Sequence, residues 1–159
     1  MIDTPSVLVA KGAIAVVLEE TIERLKKMAV QTPLKRARLC LHRSHEDPVQ
    51  EMVIVLHRDS YIRPHRHQHK TESFHMIEGE VVIGFFNDGG DIQSTLRLSA
   101  SERYLYRLSA PLWHTVVPLT EFAVFHEVST GPFIQSEYPF WEPGVEMAQD
   151  FKDKVVSFR

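Results

Sequence analysis

From Arg36 to Val128 the chain is a succession of short apolar or alternating segments set apart by turn residues, with no helical stretch between them. Ala37, Leu39 and Leu41 alternate with Arg36, Arg38 and His42, and further strand candidates run over 51–58, 72–77, 80–87, 92–98, 103–108, 114–118 and 122–128. Side chains two apart in a strand share a face, so each such segment buries one face and must find a second sheet to cover it. Asn87-Asp88-Gly89-Gly90 is the clearest hairpin signal. Seven or eight short strands without interleaved helices predict an all-β sandwich or barrel and exclude a parallel α/β sheet.

The flanks read differently. Over 18–30, Leu18, Ile22, Leu25, Met28 and Ala29 recur at helical spacing, with Glu19, Glu20 and Glu23 ahead of Arg24, Lys26 and Lys27, a charge order that suits the helix dipole. Those three cations are read as complementing the helix C-terminus. Past Gly131-Pro132-Phe133, Val145, Ala148, Phe151 and Val155 outline a peripheral tail helix. The expected organisation is one domain: a helical preface over 1–33, a barrel over 34–133 and a tail over 134–159 packed on it.

A chain of 159 residues buries enough surface to fold without disulfide or structural metal. Eighteen basic against 21 acidic residues give a net charge of −3, unlike the dense positive surface of a general nucleic-acid binder. No apolar run approaches the ~20 residues of a membrane helix, and the segment 6–18 lacks the basic start of a secretion signal. A lone Cys40 closes no intramolecular disulfide. The expectation is a cytoplasmic protein with a small-molecule substrate and neither nucleic acid nor membrane as partner.

Four of the nine histidines, His65, His67, His69 and His75, fall within eleven residues that also hold Glu72. On a strand, His65 and His67 present both imidazoles to one point, and Glu72 at the next strand's start adds an oxygen donor. His69 is read as a neighbouring group and His75, of opposite parity to Glu72, as structural. The other charge concentration is seven lysines and arginines without an acid between Arg24 and His45. Arg36 and Arg38 share one strand face, and their planar forks suit a carboxylate or phosphate; an ion pair with Glu46, Asp47 or Glu51 is the alternative. Cys40 is read as a small buried hydrophobe, with Arg38 and His42 on its face. Tyr104, Tyr106 and Arg107 are read as lining the pocket. The substrate-binding candidates are Arg36, Arg38, His42 and Tyr106.

His65-x-His67, four residues, Glu72, six residues and Gly79 resemble the first motif of the cupin superfamily. Ala110-Pro111-Leu112-Trp113-His114 resembles its second motif, without the glycine that usually stands there. The resemblance implies a double-stranded β-helix, a jelly-roll barrel, and a fourth ligand from His114. More narrowly, Arg36-Ala37, Leu41-His42, Ser44-His45, Asp47 and Val49-Gln50, with Glu127-Val128 and Gly131-Pro132-Phe133, resemble the WbuC-type cupins over about residues 35 to 135. That group takes its name from bacterial surface-polysaccharide gene clusters, and cupins often form homodimers. His65, His67, Glu72 and His114 imply one divalent transition metal, with Fe, Mn, Ni, Co and Zn all admissible to a mixed nitrogen and oxygen donor set. The function expected is a metal-dependent isomerase, epimerase or lyase acting on a small anionic, sugar-like metabolite. An iron-dependent dioxygenase and a non-catalytic binding module are the alternatives.

Overall fold

A computed structural model describes residues 1–159. Its strands are β1 (Val7–Val9), β2 (Arg36–Cys40), β3 (Val49–His57), β4 (Glu72–Glu78), β5 (Glu80–Phe86), β6 (Ile92–Ser99), β7 (Leu105–Leu108), β8 (Trp113–Pro118) and β9 (Phe122–Thr130), with helices α1 (Glu19–Gln31) and α2 (Ala148–Ser157). Six strands make one sheet in the order β1-β2-β3-β9-β4-β7, and β6-β5-β8 make a second. The two face each other across a core drawn from both, including Leu56, Phe74, Ile83, Leu98, Val116 and Phe125. This is the expected all-β jelly roll.

Both sheets are also covered from outside. On β3, Val53 and Val55 point away from the barrel onto Leu25 and Ala29 of α1, while Leu56 points in. On β5, Val81 and Ile83 point in, whereas Val82 and Phe86 meet Val155 of α2. Burial on two faces is why these strands read as continuous apolar runs instead of strict alternation. Gly84 lies where α2 approaches, and a Cβ there would press on a Val155 methyl at 2.8 Å. Gly79 makes the turn between β4 and β5 at φ +73, where a side chain would collide with the Phe122 carbonyl.

Four local expectations change. The N-terminal block is not only helical: β1 pairs in parallel with β2 and forms one edge of the large sheet, a segment too short to show a period. The helix C-terminus is served by Lys35, whose Nζ donates to the Val30 carbonyl at 2.7 Å, while Lys26 turns aside to Glu23 and Glu78. Val145 leaves the tail's apolar face and is 78% exposed, because it sits in a 3-10 turn ahead of α2. His65 lies in an isolated bridge to His114, outside any named strand.

Candidate metal centre

Three parts of the chain converge between the sheets. Glu72 opens β4 of the large sheet, His114 stands in β8 of the small one, and the segment between β3 and β4 carries His65 and His67. His65 and His114 exchange backbone hydrogen bonds at 2.9 Å, which fixes the segment against β8. The donor nitrogens of His65, His67 and His114 lie within 4.8 Å of one another. Oε1 of Glu72 is 3.1 Å from Nε2 of His114 and Oε2 is 3.3 Å from Nε2 of His67. The four expected ligand residues are thus brought together. His75 is exposed on the outer side of β4, away from the cluster, and His69 lines the cavity mouth.

The outer ring nitrogens are tied down. Nδ1 of His65 donates to the Arg63 carbonyl at 2.8 Å, and Nδ1 of His114 donates to the Leu112 carbonyl at 2.9 Å. Nδ1 of His67 is 3.2 Å from the Ser136 hydroxyl. These contacts leave Nε2 of His65 and His114 as lone-pair donors facing inward, the usual second layer of a metal site. Burial, with His114 beside it, lowers the His65 imidazole to about 3, so it is neutral and able to donate.

Burial by itself would raise Glu72, but the rings of His114 and His67 and the Lys70 ammonium hold it well below the usual carboxylate range. Tyr106 donates its hydroxyl to Oε1 of Glu72 at 3.1 Å. Burial and the Glu72 charge push that phenol upward, so Tyr106 positions the carboxylate from beneath and does not line the cavity as expected. Tyr104 and Arg107 also stay outside it, exposed on the other face of the short edge strand or just before it.

Two buried side-chain polar atoms in the molecule lack a protein partner: Nε2 of His114 and the hydroxyl of Ser129. Nε2 of His114 makes no hydrogen bond even though Glu72 is within reach, and Ser129 is the β9 residue paired opposite Glu72. Buried polar groups are nearly always satisfied, so two orphans at one spot mark where a ligand is received. Three imidazoles and one carboxylate fit a divalent transition metal in charge, softness and convergence.

Beside the cluster Lys70 reaches Glu127 at 3.3 Å and Glu72 at 3.4 Å. Burial works to lower Lys70, but the two carboxylates outweigh it and raise it. Burial raises Glu127, opposed by Lys70 and reinforced by Glu72. A sequence signal for Glu127 existed: it shares strand parity with the inward-facing Ala123 and Phe125, and a charge at a core position demands a reason. Lys70 carried no such signal, because it lies in a loop.

The cluster forms one end of a cavity of about 880 Å³, near the top of the range of about 300–1,000 Å³ common for ligand sites. Arg36, Arg38 and His42 line its other end. Neither arginine has a carboxylate partner, so the expected alternative of an ion pair with Glu46, Asp47 or Glu51 is not realised. Burial, then the charge of Arg38, lowers Arg36. Nδ1 of His42 accepts from the Glu51 N–H at 2.9 Å. Burial raises the Cys40 thiol, with Arg38 opposing too weakly to make it reactive.

No helix is long and apolar enough to cross a membrane. A search of curated protein sequences returns no match. Solved structures do resemble the fold. The capsular polysaccharide assembling protein CapF from Staphylococcus aureus is 17% identical, with 65% of this chain and 31% of CapF covered at a TM-score of 0.54; CapF has also been solved with the inhibitor 3-isopropenyl-tropolone. This chain therefore spans about a third of CapF. A recombinant oxalate oxidase in complex with glycolate is 16% identical, covering 79% of this chain and 74% of the other at a TM-score of 0.51. The Cnp3 cupin domain of Schizosaccharomyces pombe is 9% identical, covering 60% and 64% at 0.50. These likenesses establish the cupin fold, and at the level of sequence residues 17–98, just over half the chain, match the family described as "Domain of unknown function (DUF6016)", to which this chain belongs.

Proposed function

We propose that the protein is a metal-dependent cupin enzyme of the isomerase, epimerase or lyase type, acting on a small anionic hydroxy-carbonyl metabolite. The observation that carries the reading is one cavity with a convergent three-histidine, one-carboxylate cluster at one end and two arginines without carboxylate partners at the other. His65, His67, Glu72 and His114 would hold the metal, with Fe, Mn, Ni, Co and Zn equally suited to the donors. Bound there, a divalent metal supplies Lewis-acid polarisation of a hydroxyl or carbonyl oxygen.

The chain's own groups do the rest. Arg36 and Arg38 take the substrate's negative charge, the Ser129 hydroxyl meets an oxygen of the reacting end, and Lys70 with Glu127 forms the polar pair on the wall that moves a proton. Tyr106 keeps Glu72 turned toward the histidines. Glycolate bound to oxalate oxidase and a tropolone bound to CapF are both ligands with two adjacent oxygens, the kind of head group this reading requires. The likeness to CapF also supports a place in surface-polysaccharide metabolism and a sugar-like skeleton, as the WbuC-type resemblance implies. The likeness to oxalate oxidase supports dioxygen chemistry on the same residues as a second reading, of which an iron-dependent dioxygenase is one form.

Metal content of the full chain, purified without tag or chelator, tests the proposal, with His67→Ala and His114→Ala alongside. About one equivalent of transition metal in the wild type and loss in both folded variants is expected. A wild type that carries none and takes up none on titration would overturn it. Dioxygen consumption with the iron form separates the two enzyme readings, and ligand binding that persists without turnover in both would leave a binding module.

A further inference from the structure

The two ends of the cavity lie far apart on one sheet. Arg38 pairs with Ile54, Ile54 with Phe125 and Phe125 with Met76, which is four residues along β4 from Glu72. Three strand spacings across and four residues along separate the Cα atoms of Arg38 and Glu72 by on the order of 20 Å. Even with both side chains extended inward, a three- or four-carbon acid does not touch both ends.

What lies between decides the chemistry of the middle. Met52, Ile54 and Phe125 face the cavity from β3 and β9, with Val116 opposite. Of the polar residues nearby, Glu127, which pairs with Met52 across β9 and β3, is taken up by Lys70. Gln50 gives its amide to the carbonyls of Ser44, His45 and Asp47, and His42 holds Glu51. An unhydrated polyol chain laid across this floor would leave its hydroxyls without partners, whereas a hydrocarbon chain loses nothing by leaving water.

We infer that the site selects an elongated amphipathic anion: an oxygen-chelating head at the histidine cluster beside Ser129, a hydrocarbon middle along Met52, Ile54 and Phe125, and a second acidic group on Arg36 and Arg38. The inference rests on the metal-dependent reading above for the head group only. It narrows the sugar-like skeleton to one whose mid-section is apolar.

Calorimetric titration of the full, metal-loaded chain with succinate, adipate, suberate and sebacate tests it, with octanoate and gluconate as controls. Affinity should climb about three- to fourfold per added methylene that is buried until the second carboxylate reaches the arginines. The Arg36→Gln/Arg38→Gln double variant should weaken suberate by about tenfold or more while octanoate changes little. Arg38→Lys, which keeps the charge, should recover part of the loss and guards against misfolding of the double variant. Succinate or gluconate binding as tightly as suberate, or a double variant that keeps suberate, would sink the idea. Metal content is measured on the same samples. Length and arginine dependence without any metal would overturn the metal reading alone, and a full metal complement without length dependence would overturn this inference alone.

Discussion

Oε1 of Glu72 accepts a hydrogen bond from Tyr106 at 3.1 Å, and both residues belong to the large sheet, on β4 and its edge neighbour β7. The same oxygen lies 3.1 Å from Nε2 of His114 on the small sheet. One carboxylate therefore joins the two layers of the barrel, and its orientation is set by a phenol that never reaches the cavity.

Tyr106→Phe should fold with a loss of about 1 kcal/mol, the worth of one hydrogen bond, and should weaken metal binding by roughly 10-fold or more, as changes behind metal ligands do. Competition against a calibrated chelator measures the affinity. Unchanged affinity would show that Glu72 is held by packing alone.

For His114→Ala, a different signature is expected. Saturating metal at about 100 times its Kd should stabilise the wild type by about 2.7 kcal/mol and the variant hardly at all. Thermal unfolding with and without metal reads this directly, and an equal shift in both proteins would remove His114 from the ligand set.

Lys70→Ala should cost about 3–5 kcal/mol, because it strands buried carboxylates without their cation. The double change Lys70→Met with Glu127→Leu removes the pair together and should recover most of the loss. Denaturant unfolding of the two proteins compares them, and a double variant as unstable as the single one would mean that packing, not charge, is at stake.

Asp47 gives a pH prediction whose sign is fixed. Its carboxylate accepts from the Arg43 N–H at 2.8 Å, and with a weaker bond from Ser44 this holds its pKa below the ordinary aspartate value. A depressed folded pKa stabilises above the unfolded value, near 4 for aspartate, and that contribution is lost as pH falls through the folded one. Asp47→Asn should therefore lose stability at neutral pH, where the ionised carboxylate contributes in full, and flatten the acid limb below about pH 4, so that the two proteins converge at low pH. An acid limb identical to the wild type would rule the carboxylate out.

Strand parity carried most of this structure. His65, His67 and Glu72 were legible because metal chemistry demands a spacing that chance seldom supplies, and Arg36 and Arg38 because they alternate on one face. His114 was reached only through likeness to a family, since nothing local says that β8 crosses the barrel to meet β4. Tyr106 was assigned to the wrong side of Glu72: parity puts it inward, but not whether inward means cavity or floor. The Lys70–Glu127 pair was missed because it joins a loop to a strand 57 residues away, a closeness that only the β4–β9 register creates. The N-terminal strand was missed because three residues are too few to show a period.

The large sheet has twice as many strands as the small one, with β1 and β2 at one edge of it. The histidine cluster and Glu72 lie between the two layers, and Arg36 and Arg38 sit on β2, toward that edge. On the function proposed above, recognition can be redrawn by editing β2 but not the 132–138 segment, because Ser136 there holds His67 and Glu137 bridges Arg66. On that same proposal, specificity and chemistry would be divided between β2 and the strands that carry the histidine cluster.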